Sequence, residues 1–441
     1  MTAHPHLKQH IRDRMARTGE SYTTTRRHVL AAGDRTPPPR PEGLLPSWPA
    51  TGGGDHHGSA LAAHLITASG TRAPHTGEPY SEAMVAGLAG GIGFMYFVFS
   101  YDGHHPTMTI VARRHPEPYV AAALRAAGVE LTEQHTGSAS VAERRLRAGL
   151  TAGRPMAATV DRTRLPWHGL DGSPYGPEPH PVGICGSRPG DVVLLDDECV
   201  RPNPLGLPEF MAAWSAPAKN RHELLEITGP APADHDVPAA LRGAVAHGCA
   251  LLTEPVLGNN FDANFGFRGM RKLADGLADP RGKRSWARLF AHPEAMFTVL
   301  RRLHDCLETE YTAPGATRPL WAAFLEEAAV VVGEAAWTAA AVDVRAAGVL
   351  WSGIAERALS IHPALTAYGE LVTERQRLIV AHGAEVAAEI RALTGRVDGL
   401  AATYAADPPD PGAVRELLDD LAAAVRAALE REEWAVAALT T

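Results

Sequence analysis

The chain has 441 residues, 45% of them hydrophobic and 21% charged, and a formal net charge of −8 at pH 7. This acidic balance argues against a general nucleic-acid-binding protein, which usually carries a basic domain. The four cysteines show no C-x-x-C spacing, which argues against a disulfide framework or a zinc ribbon and favours the cytoplasm. The apolar run 84–99 is interrupted by glycines and is shorter than the roughly 20 residues of a membrane span. We therefore expect a cytoplasmic protein with neither nucleic acid nor membrane as a partner.

The first 50 residues are predicted to form a basic arm followed by a linker. Basic residues outnumber acidic ones in 1–35, and Leu7, Ile11 and Met15 have the spacing of one short amphipathic helix. Its role stays open between docking on an acidic partner and a solvated extension. Residues 36–50 are rich in proline, which predicts an extended linker.

Residues 51–228 are predicted to form an α+β domain. Helical patterns alternate with β-prone runs, and the run from His180 to Asp197 indicates two antiparallel strands joined by a polar turn. Helices that precede an antiparallel sheet indicate an α+β architecture and not a doubly wound one. The predicted helices are 59–68, 79–88, 118–127 and 141–152. The first predicted strand follows a turn within residues 90–99, and the others are 107–112, 130–134, 155–161, 180–186 and 191–197.

Residues 229–441 are predicted to form an all-helical bundle domain. The composition changes at the Gly/Pro cluster 228–233, and apolar residues beyond it recur at steps of three and four. The predicted helices are 237–252, 267–277, 286–311, 319–332, 335–358, 364–393 and 414–437.

The most informative stretch joins a glycine run, 52–54, to a polar cluster, 55–59, that opens the first apolar helix. A helix N-terminus offers free backbone N–H groups and a positive dipole, which keeps an imidazole neutral and able to act as a base. His56 and His57 are therefore candidate bases for acyl transfer. Ser59 is either an alternative nucleophile or a helix cap. No cysteine stands in this turn, although many thiol enzymes place theirs there.

Glu82 is the single charge in the apolar stretch 81–89. Such a carboxylate either caps backbone N–H groups or lies in a pocket with a perturbed pKa. The glycines around it at 87, 90, 91 and 93 match no phosphate-binding fingerprint. They indicate tight packing or a channel wall for a pantetheine arm.

Several landmarks occur in a familiar order. Residues 52–228 resemble the N-terminal domain of the butirosin biosynthesis protein H family, and residues 237–360 resemble the helical domain of unknown function that follows it. The first resemblance rests on residues 55–59, 80–84, 87–94, 160–162, 165–168, 180–182 and 195–197, and the second on residues 318–329.

This resemblance implies a papain-like acyltransferase, which takes an acyl or aminoacyl group from a carrier-protein thioester. The acceptor would be an amine, or a hydroxyl, of a natural-product intermediate. The nucleophilic cysteine of the family falls on His57, or on His56 if no gap is allowed. The resemblance makes His180 the base and Asp196 its orienting carboxylate, with Asp197 as the alternative. For this acyl transfer we further expect oxyanion donors at the Gly58 and Ser59 amides, and substrate contacts at Glu82, Asp161, Trp167 and His168.

We expect no cofactor beyond the phosphopantetheine arm that delivers the substrate. The expected partners are an acyl-carrier protein and a small amine, and a homodimer is an open alternative. No metal is expected, because the 21 histidines include neither an H-E-x-x-H motif nor a helical His-x-x-x-His pair. Two rival functions stay open. One is a hydrolase or cyclase that uses Ser59 on a thioester, and the other is a non-catalytic scaffold that binds the carrier protein.

Overall fold

The computed structural model describes residues 40–50, 52–116, 118–170, 172 and 176–440. The predicted basic arm lies outside these residues. The first half contains both helices and strands. Its helices are α1 (His57–Ala68), α2 (Glu82–Leu88), α3 (Tyr119–Ala126), α4 (Ala139–Thr151) and α5 (Leu207–Ser215). Its strands are β1 (Ile92–Phe99), β2 (Thr107–Arg113), β3 (Glu130–Gln134), β4 (Met156–Asp161), β5 (Pro179–Arg188), β6 (Val192–Asp196), β7 (Asn203–Gly206) and β8 (Leu224–Gly229).

The second half is helical, and β8 is the last strand of the described chain. None of the described helices has both the length and the apolar composition needed to cross a membrane. The helices are α6 (Val237–Thr253), α7 (Gly266–Ala278), α8 (Trp286–Leu289), α9 (Pro293–Glu308), α10 (Arg318–Val332), α11 (Ala335–Ser360), α12 (Pro363–His382), α13 (Ala387–Ala406) and α14 (Pro411–Leu439).

Six strands form one antiparallel sheet in the order β3-β8-β4-β5-β6-β7, and β1 pairs with β2 in a separate hairpin. The register pairs His180 of β5 with Val160 of β4, and Gly183 of β5 with Asp196 at the end of β6. Helix α1 packs against α2, α3 and β5, so its N-terminus lies beside the middle of the sheet. The α+β class is thus confirmed, with a helical C-terminal region.

The two halves share one continuous hydrophobic core, which extends from Leu44 to Val436. Gly87, in the last turn of α2, allows the close approach of α10, because a Cβ on it would overlap the ring of Phe324. The predicted domain boundaries at 50 and 228 therefore do not separate independent cores, and they stay a prediction.

A buried arginine joins the two halves. Arg318, at the start of α10, donates two hydrogen bonds to Glu432 of α14, at 2.8 and 2.7 Å, and others to the carbonyls of Gly93 and Ala112 in the hairpin. The guanidinium is fully buried, so each of these acceptors compensates part of its lost hydration.

Several local predictions need correction. Two predicted helices are each divided, because Pro293 starts α9 after a break and Gly383, with φ of 52°, ends α12. The described end of the predicted linker packs against the sheet, where Leu44 bridges Gly186 and Trp48 is buried. Three elements had no prediction, namely β7, α5 and β8.

Candidate active site

The loop that enters α1 is held by Glu82. Its two carboxylate oxygens accept hydrogen bonds from the backbone N–H groups of Asp55 and His56, at 2.9 and 2.7 Å. A Cβ on Gly54 would lie 2.7 Å from the same carboxylate, so this approach requires the glycine. The carboxylate thus anchors backbone next to the positive end of α1, as a capping contact does. This corrects the prediction of Glu82 as a substrate contact.

His56 and Ser59 form a buried capping pair. Nδ1 of His56 accepts a hydrogen bond from the Ser59 amide at 3.2 Å, and the Ser59 hydroxyl lies 2.7 Å from the same nitrogen and 2.8 Å from the hydroxyl of Tyr119. Burial, followed by the positive charge of Arg113, holds the pKa of His56 well below its usual value. The Ser59 side chain is fully buried and its amide is already bonded. A hydroxyl bonded to an imidazole is also what a nucleophile and its base show, but both side chains are buried and neither lines the cleft described below. We therefore assign His56 and Ser59 a capping role, and not the roles of base, nucleophile or oxyanion donor.

His57 lies in the first turn of α1 and next to His180, as predicted. Their rings stack with centroids 4.4 Å apart and planes 12° from parallel. Nε2 of His57 donates a hydrogen bond to the carbonyl of Pro181 at 2.5 Å. In the neutral ring the lone pair is therefore on Nδ1, which lies 3.6 Å from a carboxylate oxygen of Asp197. Strand β5 thus supplies both the stacking partner of His57 and the carbonyl that orients it.

Asp197, and not Asp196, contacts His180. Oδ1 of Asp197 accepts from Nε2 of His180 at 2.8 Å. Asp196 accepts instead from Nε1 of Trp48 at 3.0 Å and from Nδ1 of His64 at 2.6 Å. Successive side chains of an extended chain point to opposite faces, so the two neighbouring carboxylates serve different clusters. This corrects the assignment of Asp196 as the orienting residue.

Trp167 and His168 support Asp197 from the far side. Both donate to its Oδ2, Trp167 from Nε1 at 2.7 Å and His168 from Nε2 at 2.8 Å. Nε of Arg162 donates to Nδ1 of His168 at 3.2 Å, which places the proton of His168 on Nε2. Since both side chains are almost fully buried, they hold the carboxylate and do not face a substrate, contrary to the prediction.

Asp161 is also structural. It accepts from the amide of Thr163 at 3.1 Å and from the amide of Glu178 at 3.1 Å, and so caps the turn after β4. Its carboxylate is buried and committed to backbone. The prediction that Asp161 binds substrate is therefore not supported by its position.

The site holds ionised carboxylates beside a neutral imidazole. Burial would raise the pKa of Asp197, but His180 and His168 lower it well below its usual value. Burial likewise opposes ionisation of Glu198, but Arg162 and His168 lower its pKa to about 2. Burial and then the charge of His180 lower the pKa of His57, despite the opposing effects of Asp197 and Glu198. His57 is thus neutral and able to accept a proton at neutral pH.

A small cleft of about 40 Å³ opens beside His57. Its size corresponds to a few water molecules, so a substrate must displace part of its wall. One wall is the entry loop of α1 with Asp197 and Glu198, and the other comes from the helical half. Glu198 was not predicted, but it follows Asp196 and Asp197 directly, and this run of three acidic residues is a signal that could have found it. No local sequence signal marks the helical wall. The residues of the helical wall are Glu308, Thr309, Thr312, Gln376 and Val380.

The loop that carries Thr312 of this helical wall has strained backbone. Tyr311, Ala316 and Thr317 have φ of 55°, 56° and 70°, in a region that non-glycine residues seldom occupy. The Thr317 hydroxyl accepts from the Ala313 amide at 3.2 Å and lies 3.0 Å from the Thr312 hydroxyl, which stabilises the turn. Strain of this kind is frequent at functional sites.

The donor atoms of His57, His180 and Asp197 lie within 4.8 Å of one another. A metal ion must lie close to the plane of each imidazole that binds it, because the nitrogen lone pair is in that plane. Two nearly parallel rings stacked 4.4 Å apart cannot both satisfy this condition, so the arrangement suits proton transfer better than metal binding. A second, exposed group consists of His105, His292 and Glu294, and its two rings are also stacked.

All four cysteines are free and buried, and none of them lines the cleft. Burial raises the pKa of the Cys185 and Cys199 thiols well above the usual value. A thiolate is the reactive form of cysteine. No cysteine of this chain is therefore placed to act as the nucleophile that the resemblance implies.

Comparison with known protein families finds the two families that the sequence resembles, in the same order. Residues 56–198 match the family described as "Butirosin biosynthesis protein H, N-terminal". Over these residues, about a third of its length, the chain is similar to that family. Residues 206–385 match a second family, described as "Domain of unknown function (DUF4872)". No curated protein matches the chain. The butirosin biosynthesis protein H match contains His57, His180 and Asp197, whereas the helical wall of the cleft lies within the second match.

Proposed function

We propose that this chain is an acyltransferase of natural-product biosynthesis that transfers an acyl group from a thioester to an amine without a covalent enzyme intermediate. The family match supports an acyltransferase-like biosynthetic role. The observation that carries the finer proposal is the stack of His57 on His180, with His180 bonded to Asp197 and no cysteine at the cleft. A papain-like domain is part of this proposal, because His180 and Asp197 come from neighbouring strands and lie beside the helix N-terminus that carries His57.

In this mechanism the acceptor nitrogen attacks the thioester carbonyl carbon while Nδ1 of His57 takes a proton from that nitrogen. The C–S bond then breaks, and the departing sulfur receives the proton from His57, which regenerates the neutral imidazole. Asp197, 3.6 Å from Nδ1, stabilises the transient imidazolium. General-base catalysis of this kind contributes roughly 10²–10⁴-fold. Of the two amides expected to bind the oxyanion, that of Gly58 is the remaining candidate.

The charge of the cleft walls and the size of the cleft indicate which acceptor and which acyl donor the site takes. Asp55, Asp197, Glu198 and Glu308 contribute carboxylates to its walls, so an amine that is cationic in solution, and that gives one proton to water before it attacks as the free base, is favoured over an anionic substrate. Because the cleft is small, we propose that the acyl group is delivered on a narrow phosphopantetheine arm of a carrier protein. No other cofactor is part of the proposal, and the chemistry is compatible with a cytoplasmic enzyme.

The test uses His57→Cys, which restores the thiol that the resemblance implies. Wild-type protein and variant are incubated with aminoacyl-N-acetylcysteamine thioesters and a panel of primary amines. We expect intersecting initial-rate lines and no acylated mass for the wild type, and a mass increase of one acyl group for His57→Cys without acceptor. His57→Ala should lower the wild-type rate by about 10²–10⁴-fold.

The exposed His135→Gln is the matched control and should behave as wild type. A wild-type acyl adduct that forms without acceptor and transfers its group would contradict direct attack. Turnover by His57→Cys together with an inactive wild type would instead favour a non-catalytic, carrier-binding role.

A further inference from the structure

A second cavity, of about 470 Å³, lies at the ends of α2 and α3 against α6. This volume is within the range of small-molecule binding sites, whereas the cleft beside His57 is far below it. We call it the Arg114 groove. It shares no residue with the cleft, and it is lined by Leu88, Gly90, Arg114, Ala122, Arg125, Ala126, His235, Asp236, Ala240, Gly243, Ala244 and His247.

The groove combines an apolar floor with positively charged or nitrogen-bearing side chains. Four alanines and a leucine form the floor. The side chains of His247 and Arg114 both pack against the backbone of Gly90, which has φ of 97°. A Cβ on Gly90 would lie 2.8 Å from the ring of His247 and 3.0 Å from Cδ of Arg114, so the glycine permits this contact. Within the described chain, Nε2 of His247 is buried without a hydrogen-bond partner. A buried polar atom without a partner is unusual and costly.

The other charged groups of the groove are already engaged. Asp236, its one acid, accepts from the Ala239 amide at 2.9 Å and caps α6. Arg125 pairs with Glu133, and His235 donates to the Ala126 carbonyl at 3.0 Å.

Arg114 donates from Nη1 to the Ala89 carbonyl at 3.2 Å, which occupies one of its five N–H groups. Its positive charge also lowers the pKa of His247, after the effect of burial. An anion beside both side chains would relieve this repulsion.

We propose that the Arg114 groove binds a small organic anion, whose carboxylate or phosphate group lies between Arg114 and His247 and whose apolar part covers the alanine floor. A guanidinium suits either oxyanion because it can offer two parallel N–H donors. This is a site additional to the proposed transferase cleft, and it does not depend on that function.

The test measures binding to the full chain by calorimetry with two probes, inorganic phosphate and hexanoate. Arg114→Gln should weaken binding by about tenfold or more, the effect of losing a charge-assisted hydrogen bond. His247→Gln should also weaken it. Gly243→Leu places a side chain in open space at the groove and should reduce hexanoate binding more than phosphate binding. Circular dichroism checks that each variant is folded.

Arg242→Gln is the matched control, because this exposed arginine lies on α6 next to the groove but does not line it. Its affinities should equal those of the wild type. Binding of hexanoate alone would assign a carboxylate with an apolar chain, and binding of phosphate alone would assign a phosphate. If neither probe binds, or if Arg114→Gln and His247→Gln bind both probes as the wild type does, the proposal is wrong.

Discussion

Replacing Asp197 by asparagine should destabilise the protein far more than the same change at Asp196. The carboxylate of Asp197 accepts four N–H groups, two on each oxygen: His180 and the Glu198 amide on Oδ1, and Trp167 and His168 on Oδ2. Asparagine has one acceptor oxygen and one NH₂ donor. In either orientation, two of the four donors would face another donor.

The magnitude follows from these contacts. A hydrogen bond to a charged group contributes about 1.5–3 kcal/mol, so the loss of two should cost about 3–6 kcal/mol. Asp196 uses a single oxygen, Oδ2, for both Trp48 and His64. An asparagine can present its carbonyl oxygen there, and the cost is limited to the lost charge, about 1–2 kcal/mol.

The assay is urea unfolding of the wild type and both variants, followed by tryptophan fluorescence and circular dichroism at one pH. We expect Asp197→Asn to lower the unfolding midpoint strongly and Asp196→Asn to lower it modestly, with similar slopes. Equal midpoints for the two variants, or a wild-type midpoint for Asp197→Asn, would refute the role assigned to Asp197. In turnover, Asp197→Asn should be the more damaging change, because Asp197 is the residue bonded to His180.

Three further substitutions test the packing and the electrostatics. Gly87→Ala should cost about 1–3 kcal/mol in thermal or urea unfolding, because its Cβ would overlap Phe324; Gly395→Ala in α13, which has open space around it, should instead stabilise by about 0.5–1 kcal/mol. The pKa of His64 is raised, because Asp196 outweighs the opposing effect of burial. Its contribution to stability should therefore be complete below the unfolded pKa of about 6.5 and be lost as pH rises through the folded pKa. A stability difference between wild type and His64→Gln that grows with rising pH would contradict this sign.

Local sequence patterns predicted much of the fold. The helical face of residues 59–68, the short apolar run at 155–161 and the glycine-rich entry to α1 are short-range signals, and the elements lie where these signals predicted them. Periodicity alone missed the breaks before Pro293 and at Gly383, because both flanking segments keep helical periodicity. The proline and the glycine are themselves local signals of a helix start and a helix end. Patterns also could not separate tight packing from a channel wall at Gly87, since that depends on Phe324 from α10.

The sequence by itself determined the α+β class, the helical second half, and the closeness of His57 and His180. The first two follow from periodicity and from turn residues, whereas the closeness of His57 and His180, which lie far apart in the chain, was implied by the family resemblance. Only the tertiary structure decided which of two adjacent aspartates holds His180, because one step along an extended chain reverses the side-chain direction. It also decided that His56, Ser59, Glu82, Asp161, Trp167 and His168 support the site from within. The second wall of the cleft comes from residues more than a hundred positions beyond His180, and contacts between such distant segments leave no local pattern in a sequence.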